Sequence, residues 1–220
     1  MDGYIISPHF MGFNILFSIA FAIVTLSVSY LSYKIYKLTN RKDLKLFTGA
    51  FGCFSLAYII QTILAFAIQN KLIDTVGRMR GMKAAIMPFQ HLSIYTHAIL
   101  FTIGLVLLTY MTFKAKNKGL LILLLGLVLI PLLTVIKIIP IFHLVSSFLL
   151  LFIIYFYYNN YKRHKNIAAE LVLLAFIFLL IGNFTFIFSV RQGLFFMLGR
   201  LLELIAYICI LINLRLLTKK

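Results

Sequence analysis

Negative charge is almost missing from this chain: five Asp and Glu stand against 21 Lys and Arg in 220 residues. Charged side chains of both signs reach only 12%, while hydrophobic residues make up 63%. Soluble domains hold their apolar share near one half, so a soluble fold is excluded. No polar stretch is long enough to fold a separate enzymatic domain with a core of its own. Cysteine is equally scarce. Cys53 and Cys209 both fall in apolar runs, where a thiol packs as a small hydrophobe, and neither has a metal-ligating neighbour at useful spacing. Strand-type alternation is missing too: residues 120–133 are apolar on every side, which excludes a β-barrel. The first ten residues carry no basic n-region and no small-residue cleavage site, so the first helix is expected to be retained.

What fills the chain instead is a series of apolar runs. At about 1.5 Å per residue, a run of roughly 20 residues crosses a hydrocarbon core about 30 Å thick. Such runs occur at 10–33, 46–68, 89–113, 119–136, 141–158, 167–189 and 194–214. The expectation is an all-α, polytopic, seven-transmembrane protein forming a single membrane domain, multi-pass in the cell membrane. Lys34, Lys37, Arg41, Lys42 and Lys45 follow the first run, Lys114, Lys116 and Lys118 the third, and Lys162, Arg163 and Lys165 the fifth. With Arg215, Lys219 and Lys220 they mark one side, which the positive-inside rule makes cytoplasmic; the N-terminus is then outside and the C-terminus inside. Tyr30, Tyr33, Tyr36, Tyr110, Tyr155, Tyr157, Tyr158 and Tyr161 gather at the same side, at headgroup level. The net charge of +16 is spread over short loops, so contact with anionic lipid accounts for it and no nucleic-acid partner is expected.

Shifting the chain by 125 positions aligns Tyr30, Tyr33, Tyr36 and Lys37 with Tyr155, Tyr158, Tyr161 and Lys162 without a gap. Leu46, Ala50 and Phe51 then meet Leu171, Ala175 and Phe176. This predicts a parallel 3+1+3 repeat, with one unit over about 10–113, a connector helix over about 119–136 and a second unit over about 141–214. The plan resembles that of the SWEET sugar transporters and, more loosely, of the microbial rhodopsins. It differs from both in its residues. Pro8, Pro88 and Pro140 sit near helix starts and Pro131 in the connector, so neither half has the SWEET hinge prolines. Residues 194–214 hold no lysine for a retinal Schiff base. Residues 10–40, taken with the Gly199-Arg200-x-x-Glu203 to Asn213 ending, also resemble small seven-helix membrane proteins of archaeal type.

Polar groups in hydrocarbon are costly, about 2.5–3.5 kcal/mol for a central charge, so those present mark a functional layer. Gln61, His97 and Glu203 are expected about 12–14 Å from the outer face, with Asn183 and Arg200 about 9 Å deep. These five residues are the candidate ligand-binding set. Gln61 ends a line of small residues, Gly49, Cys53 and Ala57, that faces a neighbouring helix. Arg200 and Glu203, three apart, can pair along one helix face, and the plain reading is a structural ion pair with Arg200 snorkelling outward. In the sharper reading Arg200 binds an anionic or carbonyl group while Glu203 and His97 hold or relay a proton, which would couple binding to pH.

The other polar positions call for plainer accounts. His91 and His97, six apart, point to different sides, and His143 is expected near the outer boundary, so no metal or haem is expected and no cofactor is assigned. No nucleophile with a partnered base appears, so no enzymatic activity is expected. Ser18, Ala22, Thr25, Ser29 and Ser32 form a close-packing face, and Glu170 complements a helix dipole. Within 70–88, Leu72, Ile73, Val76, Met79, Met82 and Ile86 alternate with Lys71, Arg78, Arg80 and Lys83. That spacing predicts an amphipathic helix on the outer surface, a lipid-anchored connector or a basic lid over the layer. The functional expectation is a small-ligand binding or sensory module that signals through a cytoplasmic or membrane protein partner. The alternatives are a small-solute or proton-coupled transporter built on the repeat, and a structural subunit of a membrane complex.

Overall fold

The structure is a computed structural model and describes residues 8–74, 79–113, 117–134, 138–188 and 193–218. They form seven helices: α1 (Pro8–Thr39), α2 (Lys42–Asp74), α3 (Met79–Thr112), α4 (Lys118–Thr134), α5 (Ile138–His164), α6 (Ile167–Phe188) and α7 (Gly193–Thr218). All but α4 are long and apolar enough to cross a membrane, which makes the chain a multi-pass membrane protein in contact with lipid. The expectation of a seventh full span meets a shorter element here. Helix α4 is described over 17 residues, about 25 Å at 1.5 Å per residue, and residues 135–137 lie outside the described residues.

Six helices close into a ring in the order α1, α2, α3, α5, α6, α7, with α7 returning to α1. Helix α4 stands outside the ring against α3 and α5. Its exposed Ile122, Leu123, Leu127 and Ile130 suit an element surrounded by lipid. The small-residue face of α1 lets α2 approach closely. Ser18, Thr25 and Ser32 are buried, Ser29 Oγ donates to the Thr48 carbonyl at 3.0 Å, and Ser32 Oγ donates to the Leu44 carbonyl at 3.3 Å. Gly49 of the second small-residue line lies 3.6 Å from the Leu107 side chain of α3, measured from where a Cβ would sit.

Two tight turns on the basic side share one geometry. Asn40 after α1 and Lys165 after α5 take left-handed backbone conformations, at φ 52° and 45°. Their amides donate to the carbonyls of Tyr36 and Tyr161, at 2.8 and 2.7 Å. Left-handed residues close helices in this way because they satisfy end carbonyls that would otherwise be orphaned. Helices α2 and α6 then start two residues on, at Lys42 and Ile167.

The ring interior is filled, mostly by aromatic rings. Phe47 stacks on Phe51 at 4.6 Å, Phe54 packs on Phe101 at 4.7 Å, and Phe21 packs on Tyr58 at 4.9 Å. Tyr207 meets Phe21, Phe51 and Phe54, which ties α7 to α1 and to α2 across the ring.

Of the surface helix expected over 70–88, residues 70–74 belong to α2 and residues 79–88 to α3, while residues 75–78 lie outside the described residues. Helix α2 runs on to Asp74 and α3 begins at Met79, because the helical spacing on each side continues the spanning helices beyond their apolar parts. Residues 75–78 and the side chains of 71–85 lie outside the described residues, so Lys71, Arg78, Arg80 and Lys83 are not placed.

Candidate functional site

Arg200 and Glu203 are one helical turn apart on α7, and both point into the ring, with exposures of 7% and 6%. Arg200 Nη1 donates to Glu203 Oε2 at 3.3 Å, and its Nη2 donates to Asn14 Oδ1 of α1 at 3.2 Å. The guanidinium lies 5.3–5.5 Å from the centroids of Phe21, Phe186 and Phe196, so cation–π attraction replaces part of its lost hydration. The other carboxylate oxygen serves two phenols. Tyr58 of α2 donates to Glu203 Oε1 from across the ring, and Tyr207, one turn further along α7, lies 3.5 Å from the same oxygen. The two tyrosine hydroxyls are 3.0 Å apart. The pair is therefore buried, internally neutral and hydrogen-bonded on both sides, the condition under which a buried ion pair is tolerated.

Around this pair some polar atoms remain unsatisfied. Arg200 Nε, Gln61 Oε1 and His97 Nδ1 are buried and have no hydrogen-bond partner. Gln61 lies one turn beyond Tyr58 on α2, and the His97 ring of α3 packs against Tyr58 at 5.3 Å. The ion pair thus keeps one guanidinium N–H unpaired, with an unpaired imidazole nitrogen beside Tyr58 and an unpaired amide oxygen three residues further along α2. A buried polar group left unpaired costs about 1–3 kcal/mol, so native proteins keep few of them without a purpose.

Asn183, expected in this layer, is turned elsewhere. Its Oδ1 is 2.6 Å from His143 Nδ1, and its Nδ2 donates to the His143 carbonyl at 2.8 Å and to Ser147 Oγ at 2.7 Å. His143, expected near the outer boundary, is buried and stacks on Phe186 at 5.8 Å. Asn183 is therefore a clasp between α6 and α5, and Phe186, which stacks on His143 and lies 5.5 Å from the Arg200 guanidinium, stands between the clasp and the ion pair. Asn183→Leu is expected to cost about 1–2 kcal/mol, read by thermal unfolding. An unchanged unfolding temperature would show the clasp to be idle.

Of the five expected residues, Arg200 and Glu203 form the ion pair and His97 packs on the Tyr58 that donates to Glu203, while Gln61 lies three residues after Tyr58 along α2. Tyr58, Tyr207 and Asn14 are additions. Spacing could have signalled Tyr207, four residues after Glu203, whereas Tyr58 and Asn14 depend on which helices face each other. Arg200 uses one N–H of each terminal nitrogen on Glu203 and Asn14, which leaves Nε–H without a partner. Among the described residues, no three His, Cys, Asp or Glu side chains gather as a metal-ligand set.

No protein-family model matches the chain, and no curated protein and no solved structure matches it significantly. The seven-helix likeness therefore carries no family assignment.

Proposed function

We propose that the chain is a membrane-embedded module that binds a small polar molecule in the Arg200 layer and passes the binding on to a protein partner at its basic loops. One observation carries the reading: three buried polar atoms lack partners, the Nε of Arg200 within the ion pair, His97 Nδ1 beside Tyr58, and Gln61 Oε1 three residues after Tyr58 along α2. An ionisable group inside the membrane is a functional-site hypothesis by default. The orphan set holds both a donor and an acceptor. A neutral or zwitterionic molecule that donates and accepts fits it better than an anion, which would compete with Glu203 for Arg200. The layer lies at the end away from the basic loops, which positive-inside orientation makes the outer side.

A second reading, transport, is favoured by the two basic-side turns. Asn40 and Lys165, Tyr36 and Tyr161, and the starts of α2 and α6 are each 125 positions apart, the shift that aligns the tyrosine motifs. Phe21 meets Tyr58, and 125 positions on Asn183 meets Ser147, one residue from the equivalent of Phe21. The ring order also suits two three-helix units with α4 as the connector outside them. Transporters built from such repeats hold their substrate between the halves, where the ion pair sits.

Proteoliposomes separate the readings. Saturable binding of one member of a panel of small alcohols, amides and amino acids, without flux, supports the sensor. Solute flux that is lost in Glu203→Gln supports transport. Folded protein that neither binds nor transports any of them, together with no protein partner in a native pull-down, would contradict both.

A further inference from the structure

At the basic end, under the aromatic filling of the ring, the helices part around a cavity of about 500 Å³. That volume lies within the range of small-molecule sites, about 300–1,000 Å³. Helices α2, α3, α5, α6 and α7 all contribute to its wall, so it opens at the basic end of the ring between them. Phe47, Met111, Val172, Leu214 and Leu217 make the wall largely apolar. Asn213 of α7 also lines it. This side chain is 8% exposed, and its Oδ1 has no hydrogen-bond partner.

Tyr157 and Asn160 of α5 add a phenol and a second carboxamide to the wall, and three further polar residues are committed or balanced. Asn166 Oδ1 accepts the Ala169 amide at 2.7 Å and so caps α6. Arg41 and Asp43 at the rim pair with each other at 3.7 Å and are both largely exposed, so they bring no net charge. What the cavity offers is a largely apolar wall, open at the basic end, with the buried Asn213 carboxamide in it. We propose that it is a second binding site, distinct from the Arg200 layer, for a neutral apolar alcohol: a hydrocarbon body against Phe47, Val172 and Leu214, and a hydroxyl on Asn213. A hydroxyl both donates and accepts, so it satisfies either end of the carboxamide.

A medium-chain alkanol carrying a photoreactive diazirine tests this in vesicles holding the full chain. After irradiation, mass spectrometry is expected to find the label on Met111, Tyr157 or Leu214. Labelling should fall when octanol is added and remain when octane is added. Asn213→Leu, which keeps the bulk and removes the hydrogen bond, should weaken labelling about tenfold. Ala168→Phe, which fills the cavity and leaves Asn213 in place, should abolish it. Label spread over lipid-facing residues such as Phe148 and Leu151, indifferent to octanol, would overturn the proposal. So would undiminished labelling in a folded Asn213→Leu protein, and if that variant fails to fold, undiminished labelling in Ala168→Phe decides in the same sense.

Discussion

Glu203→Ala is expected to destabilise the folded bundle by about 3–5 kcal/mol, the range for removing one partner of a buried ion pair. The carboxylate is the counter-charge of a guanidinium that is 7% exposed, and it accepts from Tyr58 and Tyr207 as well. Its loss leaves a buried cation and two phenols without their acceptor. Removing both charges tells whether the cost is electrostatic. Arg200→Met combined with Glu203→Leu should cost much less than the sum of the single changes, because no uncompensated charge remains. Reversible unfolding of the four proteins in lipid bicelles provides the cycle. Wild-type stability in Glu203→Ala would mean that Arg200 finds its compensation elsewhere.

Gly104→Leu is the second large effect expected, at about 3 kcal/mol, the upper part of the range for overpacking. A Cβ at position 104 would run into the Phe54 ring and lie 2.9 Å from the Ala50 carbonyl oxygen. The ring can turn, but the carbonyl belongs to the backbone of α2 and cannot. Helices α2 and α3 would have to separate, and with them Tyr58 and His97, which meet across the same interface. Gly126 serves as the control. No atom lies within 4 Å of a Cβ there, so Gly126→Ala should leave stability unchanged or slightly raised. The same bicelle unfolding compares the two. Equal tolerance of both changes would show that α2 and α3 do not pack as tightly as described.

The sequence makes some of these features readable and hides others for physical reasons. Apolar length reveals long helices, and the serine and alanine spacing of α1 reveals the face that Ser29 and Ser32 present to α2. Spacing along one helix also predicts the Arg200–Glu203 pair, since residues three apart must share a face. Depth is weaker information. It groups Asn183 with Arg200, yet depth does not say which way a side chain turns, and Asn183 turns to His143 and Ser147. Tyrosines suit the membrane interface, and that preference hides Tyr58 and Tyr207, which are buried and hydrogen-bonded to Glu203. Tyr58 reaches Glu203 across the ring interior, between helices that are not ring neighbours. No pattern within one helix records that contact. The Asn213 cavity is hidden in the same way, because five helices build its wall.

The central claim is that unsatisfied atoms in the Arg200 layer are held open for a ligand. Gln61→Leu tests it most directly, since it removes the orphan acceptor and leaves the ion pair untouched. The measurement is the unfolding temperature of wild type and variant in vesicles, with and without the panel of small polar molecules. The account predicts that the empty variant is at least as stable as wild type, relieved of a penalty of about 1–3 kcal/mol, while the ligand-dependent rise seen in wild type disappears. A variant less stable than wild type, with no ligand effect in either protein, would contradict it and make Gln61 a packing residue.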